Sequence, residues 1–275
     1  MDILLYFIGV IMPYLSIAIF IGGLLFRLSR WFSSYLPVRI PLTDANAPIT
    51  RTGVVARLGV EFASFRSLLK ANKKLWFSGY LFHVLLGITF LVHLFNIYLY
   101  SGFSDVVNSI WFDKLATYSG ILFTFPLAYL ILRRIVLPHI RLISKLSDYV
   151  ILLLLLSLVI LGNYIRTCGV INLDEVRSYM LSLVYLNPTL PPNNIYFLLH
   201  YTLAMILFMY IPFSKVAHLI GWLLAPSKNM RHIARHKRHI NPWNDEIPGE
   251  TMTWEEYYKL YKDELDEYGP EGERK

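Results

Sequence analysis

Cysteine is almost missing from this chain: Cys168 is its single thiol. That excludes a disulfide framework, a CxxC zinc site and any iron–sulfur cluster held by this chain alone. Charge is scarce too. Charged residues make up 16% of the 275 positions, where a soluble domain carries about 25%. Acids are the scarcer sign, 19 against 26 lysines and arginines, for a net charge of +7. Internal repeats and low-complexity tracts are absent. What fills the chain is apolar: 55% hydrophobic residues in long blocks, with mean hydropathy +0.46. This composition excludes a disordered chain and, despite the positive charge, a nucleic-acid-binding module. It argues against an ordinary soluble enzyme and for a polytopic membrane protein.

A helix needs roughly 20 mostly apolar residues to cross about 30 Å of hydrocarbon. Five segments qualify: about Ile3 to Phe26, Trp76 to Tyr100, Leu115 to Leu132, Tyr149 to Ile165 and Ile195 to Leu224. The predicted fold is all-α, a five-helix membrane bundle. The first segment has Asp2 and no basic n-region, and it is longer than a signal-peptide core. It is therefore expected to be a retained span.

Lysine and arginine give the expected orientation. The segments between spans one and two, between spans three and four, and after span five together hold 22 of the 26 basic residues. The opposite side holds only Lys114, Arg166 and Arg177, and Lys215 lies near the inner end of span five. This bias predicts a multi-pass protein of the cytoplasmic membrane with its N-terminus outside and its C-terminus inside.

Two extramembrane parts follow. Val54, Val55, Leu58, Phe62, Phe65 and Leu69 recur at helical spacing with arginines between them. About 52–70 is thus read as an amphipathic helix, either in the inner interface or packed under the bundle. Residues 1–225 form the membrane domain and 226–275 a cytoplasmic tail. The basic stretch 228–239 suits anionic lipid headgroups. Residues 245–275 carry eleven of the 19 acids, with Trp254, Tyr257, Tyr258, Tyr261 and Tyr268. They read as a docking strip for a soluble partner, or else as a solvated tail.

Four of the eight histidines fall inside apolar spans: His83 and His93 in span two, His200 and His218 in span five. Ionisable groups in hydrocarbon are costly, so they are usually functional or paired. Two pairs, each on one helix, suit bis-histidine ligation of haem iron, with one neutral imidazole from each helix. Opposite chain directions pair His83 with His218 on the inner side and His93 with His200 on the outer side. On straight helices the 18-residue spacing is about five turns, so His200 and His218 share a face, while the ten-residue spacing leaves His83 and His93 about 80° apart. Pro212, which removes the backbone bond to Phe208, is one way to narrow that mismatch. Two haems, one haem, and structural or proton-relay histidines all remain open on spacing alone. His139 is read as interfacial, and His232 and His236, four apart in the basic tail with His239 beside them, as headgroup or partner contacts, with a metal site as the alternative.

The residues carry a family resemblance. Leu81-Phe82-His83 with His93 ten residues on, and Leu199-His200 with Pro212-Phe213-Ser214-Lys215 and His218, resemble the ligand helices of the respiratory nitrate reductase gamma subunit, a five-span di-haem b cytochrome. The likeness runs from Pro13-Tyr14 to the end of span five. It includes Leu132-Arg133-Arg134, Pro138, Arg141 and the polar start of span four at Asp148. Within that family the chain is more similar to the DsrM/HmeC type associated with dissimilatory sulfite reduction. The marks are the added segment Gly53 to Trp76, with Phe65-Arg66-Ser67-Leu68, and a tail with Asn241-Pro242-Trp243-Asn244 and Thr253-Trp254-Glu255-Glu256-Tyr257.

The resemblance implies an electron-transfer subunit with two haem b groups on His83, His93, His200 and His218. It would oxidise a quinol, menaquinol, near the outer pair and serve a cytoplasmic iron–sulfur subunit akin to heterodisulfide reductase. A periplasmic cytochrome c and further membrane subunits are the other implied partners. Asn96, Lys114 and Tyr164 are quinol-pocket candidates by depth, and Arg133, Arg134 and Arg166 either offset propionate charge or are ordinary flanking charge. The alternatives are a membrane subunit of heterodisulfide reductase, including one reacting with methanophenazine, or of nitrate reductase. From another class comes a non-haem, proton-relay or transporter-like protein. Transporters often show repeated halves and interrupted helices, and neither is visible in this sequence.

Overall fold

The computed structural model describes residues 2–33, 50–224, 254–260 and 262. All regular secondary structure among the described residues is helical, and five helical stretches are long and apolar enough to cross a membrane: Ile3–Phe32, Lys73–Tyr98, Ile110–Val136, Leu146–Cys168 and Ile195–Phe213. Helices are the expected solution, because backbone polar groups in hydrocarbon find no water and must be satisfied within the segment. The lipid-facing surface is correspondingly oily, with Leu25, Phe90, Phe125 and Leu153 exposed.

Span one comprises α1 (Asp2–Tyr6), a π-helical turn (Phe7–Ile11) and α2 (Met12–Phe32). Next come α3 (Arg51–Ser64) and α4 (Arg66–Ala71), then α5 (Lys73–His93), which runs into a second π-helical turn, Leu94–Tyr98. The short α6 (Tyr100–Val107) leads to α7 (Ile110–Val136), α8 (Pro138–Ile143) and α9 (Leu146–Cys168). An extramembrane helix, α10 (Leu173–Val184), precedes span five. Span five begins as α11 (Ile195–Tyr210), breaks into two 3₁₀ turns, Ile211–Phe213 and Lys215–Ala217, and resumes as α12 (His218–Leu224). Polar side chains start several helices. Asn72, Ser109 and Asn194 each accept the N–H groups that the first turn leaves free.

Two expectations need correction. Span five does not run unbroken from Ile195 to Leu224, since Pro212 and the extended backbone of Ser214 stop the helical ladder and the chain passes through 3₁₀ turns. An interrupted helix is therefore present after all. The amphipathic stretch also divides: Phe65 adopts φ 49°, the left-handed region, and separates α3 from α4.

α5 packs on α7, α7 on α9, α9 on α11, and α11 on α2. No comparably extensive packing joins α5 to α11 among the described residues. One apolar cluster (Leu85, Phe123, Leu127, Leu152) welds α5, α7 and α9. A second, including Met12, Tyr179, Phe197, Tyr201 and Met205, joins α2, α10 and α11. Glycines permit close backbone approach where helices cross. A Cβ at Gly23 would fall 2.6 Å from Pro212 Cβ, and one at Gly120 would strike the Asn163 side chain, whose Nδ2 donates to the Gly120 carbonyl at 3.0 Å.

α10 was not expected from the sequence, and it braces both π-helical turns. Tyr179 donates its hydroxyl to the Gly9 carbonyl at 2.6 Å, and Arg177 Nε donates to the Asn96 carbonyl at 2.7 Å. These bonds satisfy backbone oxygens within the widened turns.

By contacts the chain divides into two compact units, residues 1–38 with 55–229, and residues 39–54 with 230–275. The described part of the second unit is Thr50–Val54, the helix α13 (Trp254–Leu260) and Lys262. The basic stretch 228–239, His232, His236 and His239, and most of the acidic strip lie outside the described residues.

Candidate functional site: two facing histidine pairs

His83 and His93 sit on the unbroken α5, ten residues apart. His200 lies in α11, and His218 opens α12 just beyond the break. The structure brings the four together as two pairs. The His83 and His218 rings have centroids 6.0 Å apart with planes crossed at 85°. The His93 and His200 rings are 6.3 Å apart and nearly parallel, at 7°. These contacts bridge α5 to span five, the outer pair through α11 and the inner pair through α12.

Three of the rings have their orientation set by the backbone. Nδ1 of His83 faces the Gly79 carbonyl at 2.7 Å, Nδ1 of His93 the Thr89 carbonyl at 2.7 Å, and Nδ1 of His218 the Lys215 carbonyl at 3.0 Å. A carbonyl only accepts, so Nδ1 is the donor, and in the neutral ring this leaves the Nε2 lone pair free. A metal-bound histidine shows the same division of roles. In His200, Nδ1 is buried and the Leu158 carbonyl is its neighbour, without a hydrogen bond of good geometry. Gly162 makes room for this ring, since a Cβ there would lie 3.2 Å from His200 Cε1.

The pairs also have aromatic surroundings. Phe65, in the left-handed break between α3 and α4, packs edge-on against His83 at 5.0 Å, and Phe82 does the same at 5.0 Å. The roles of Phe65, Gly162 and α10 escaped the sequence reading. The added Phe65-Arg66-Ser67-Leu68 motif was the one available signal, and it did not show that Phe65 touches a histidine.

The donor set fits haem. With a metal–imidazole bond of about 2.0 Å and about 1.1 Å from ring nitrogen to ring centre, two imidazoles on opposite sides of one iron have centroids about 6.2 Å apart. The observed separations are 6.0 and 6.3 Å. Among the described residues, no three His, Cys, Asp or Glu side chains converge as a protein-only metal site would need. Ligation in twos suits a metal whose other positions are filled by a macrocycle.

The remaining candidates are dispersed. Asn96 is buried in the π-helical turn after His93, and its Nδ2 donates to the Val92 carbonyl at 3.0 Å. Lys114 is exposed on α7 with its ammonium 5.6 Å from the Trp111 ring centre. Tyr164 is exposed on α9 with its ring 4.7 Å from that of Tyr196. No direct contact among the described residues joins these three. Arg166 is engaged by Asp113 at 2.7 Å and by Thr117, and Arg134 by Ser144 and Asp148.

A five-span helical bundle with two histidine pairs facing across one seam defines the class, and the comparisons supply the family. Residues 52–235 match the family model described as nitrate reductase gamma subunit, and the chain belongs to that family. It is also similar to two archaeal proteins described as the cytochrome b-like subunit of an Hdr-like menaquinol oxidoreductase. The one from Archaeoglobus fulgidus is 30% identical, with 94% of each chain covered. The one from Archaeoglobus profundus is 31% identical, with 93% of each covered.

Proposed function

We propose that this chain is the membrane cytochrome b subunit of a quinol oxidoreductase. It carries two bis-histidine haem b groups, one on His83 and His218 and one on His93 and His200. The observation that carries this reading is the pair of imidazole separations, both matching two ligands on one iron. Haem bound at these pairs supplies one-electron chemistry. The chain's own residues turn Nδ1 of His83, His93 and His218 to backbone carbonyls, which leaves Nε2 of those neutral rings for iron, and Gly162 clears space for the His200 ring.

The substrate is menaquinol, the quinol named for both archaeal relatives. Oxidation occurs at the His93 end, which the lysine and arginine bias puts outside. Of the three pocket candidates, Asn96 is closest in sequence to His93 and is buried beside it in the chain. Electrons are delivered inward to a cytoplasmic iron–sulfur subunit akin to heterodisulfide reductase, which the tail 226–275 docks. The complex is linked to dissimilatory sulfite reduction, with a periplasmic cytochrome c and other membrane subunits as further members. The interrupted span five is also a transporter feature, but here the break delivers His218 to His83. The Nδ1 bonds of His83, His93 and His218 tie those rings to their own backbones, which favours fixed ligands over a proton relay.

The test is expression with haem supply followed by redox difference spectra. Two b-type components are expected. His83→Ala should remove the inner component and His93→Ala the outer one. Folded protein that binds no haem contradicts the reading.

A further inference from the structure

Span five is interrupted immediately before its inner histidine. Pro212 has no N–H, Ser214 is extended, and the 3₁₀ turn Lys215–Ala217 leads directly into His218. A chain freed from regular helical bonds takes its position from tertiary anchors. Two polar anchors hold this one. Arg27 of α2 donates to the Ser214 carbonyl at 2.7 Å, and Lys215 Nζ donates to Asp148 Oδ2 at 2.6 Å.

Asp148 is a built site rather than a surface charge. It is 4% exposed, near the start of α9. The same Oδ2 accepts the Lys145 backbone N–H at 3.1 Å, and the Arg134 guanidinium lies 3.8 Å away. Lys215 then acts in two directions. Its ammonium reaches Asp148, and its carbonyl faces His218 Nδ1 at 3.0 Å.

We infer that Asp148, acting through Lys215, is a positioning residue for His218: it pins the broken turn whose carbonyl sets the imidazole crosswise to His83. This rests on the haem reading above. The 85° crossing of the inner pair thereby has a cause separate from the outer pair, whose His200 sits in unbroken helix. Ligand orientation and the hydrogen bonds behind a ligand both tune a haem.

The experiment uses the full chain, loaded with haem, in D148N, K215M and K215R forms. Redox titration and low-spin electron paramagnetic resonance are recorded for each, with His83→Ala assigning the inner component. D148N and K215M should change the inner resonance in the same way and leave the outer one as in wild type. K215R should restore the inner signal. The Lys215 side chain is 64% exposed, so K215M keeps the test open if D148N fails to fold. Unchanged inner resonance in both variants overturns the inference. So do midpoint shifts of opposite sign with an unchanged resonance, because those report charge alone. Haem-free wild type would instead overturn the parent reading together with this one.

Discussion

Arg177 and Asn96 are joined across 81 residues by a 2.7 Å bond from guanidinium to carbonyl. The same guanidinium lies 3.5 Å from the Tyr100 ring centre and pairs with Asp174 at 2.6 Å. Its side chain is only 12% exposed. One arginine thus ties α10 to the π-helical turn that follows His93. π-helical turns are often found at functional sites, where they re-aim neighbouring groups. Lysine lacks the planar fork and the stacking face. R177K should therefore destabilise the protein by about 1–3 kcal/mol and perturb the outer haem signal while sparing the inner one. Thermal unfolding in detergent, read beside difference spectra, checks both parts.

Gly162 should resist enlargement for a reason unrelated to helix stability. Alanine for glycine ordinarily favours a helix by about 1 kcal/mol. Here the added carbon meets the His200 ring at 3.2 Å. G162A and, more severely, G162L should lower outer haem content without a matching loss of fold. Haem per protein in purified G162L, compared with its melting temperature, decides the matter.

Adjacent glycines on α2 should behave differently. A Cβ at Gly23 runs into Pro212, whereas one at Gly22 meets nothing within 4 Å. G23L should cost about 1–3 kcal/mol through overpacking, and G22A should be neutral or mildly stabilising. Because Pro212 begins the break before His218, G23L should also disturb the inner haem. Paired thermal melts and inner-haem spectra of the two variants provide the measurement.

Tyr179 supplies a pH signature. Burial raises its phenol from 10.0 to about 12, and its hydroxyl bonds the Gly9 carbonyl at 2.6 Å. Below pH 10 the phenol is neutral folded or unfolded, so its stabilisation is fully present. As pH climbs from 10 towards 12, the unfolded chain loses the proton first and the fold loses stability. Y179F should cost about 1 kcal/mol at neutral pH and show a shallower alkaline decline than wild type. Melting temperatures across pH 8 to 12 would reveal a slope unaltered by Y179F if the reasoning is wrong.

The spans were legible because hydrocarbon imposes a length and a composition on any helix that crosses it. His83, His93, His200 and His218 stood out for the same reason: an imidazole in an apolar run needs a partner. The expected 80° mismatch between His83 and His93 is met elsewhere, in the unwinding of span five after Ile211, which frees His218 from the straight-helix register of His200. Pro212 hinted at that break, but its extent depends on Arg27 and Asp148, whose reach is tertiary. Neither π-helical turn has a local sequence signature, since the bonds bracing them come from Tyr179 and Arg177 on α10. In the sequence Phe65 falls on an amphipathic stripe and in the Phe65-Arg66-Ser67-Leu68 motif. Its left-handed backbone reflects a packing role beside His83 that periodicity does not encode.

The seam between α5 and α11 has a consequence for biogenesis. Span five faces α5 through the His93–His200 and His83–His218 rings, so haem bound there as proposed would serve as mortar as well as wiring. Cells short of porphyrin should accumulate a gaping, protease-sensitive chain, and loading should precede docking of any soluble companion.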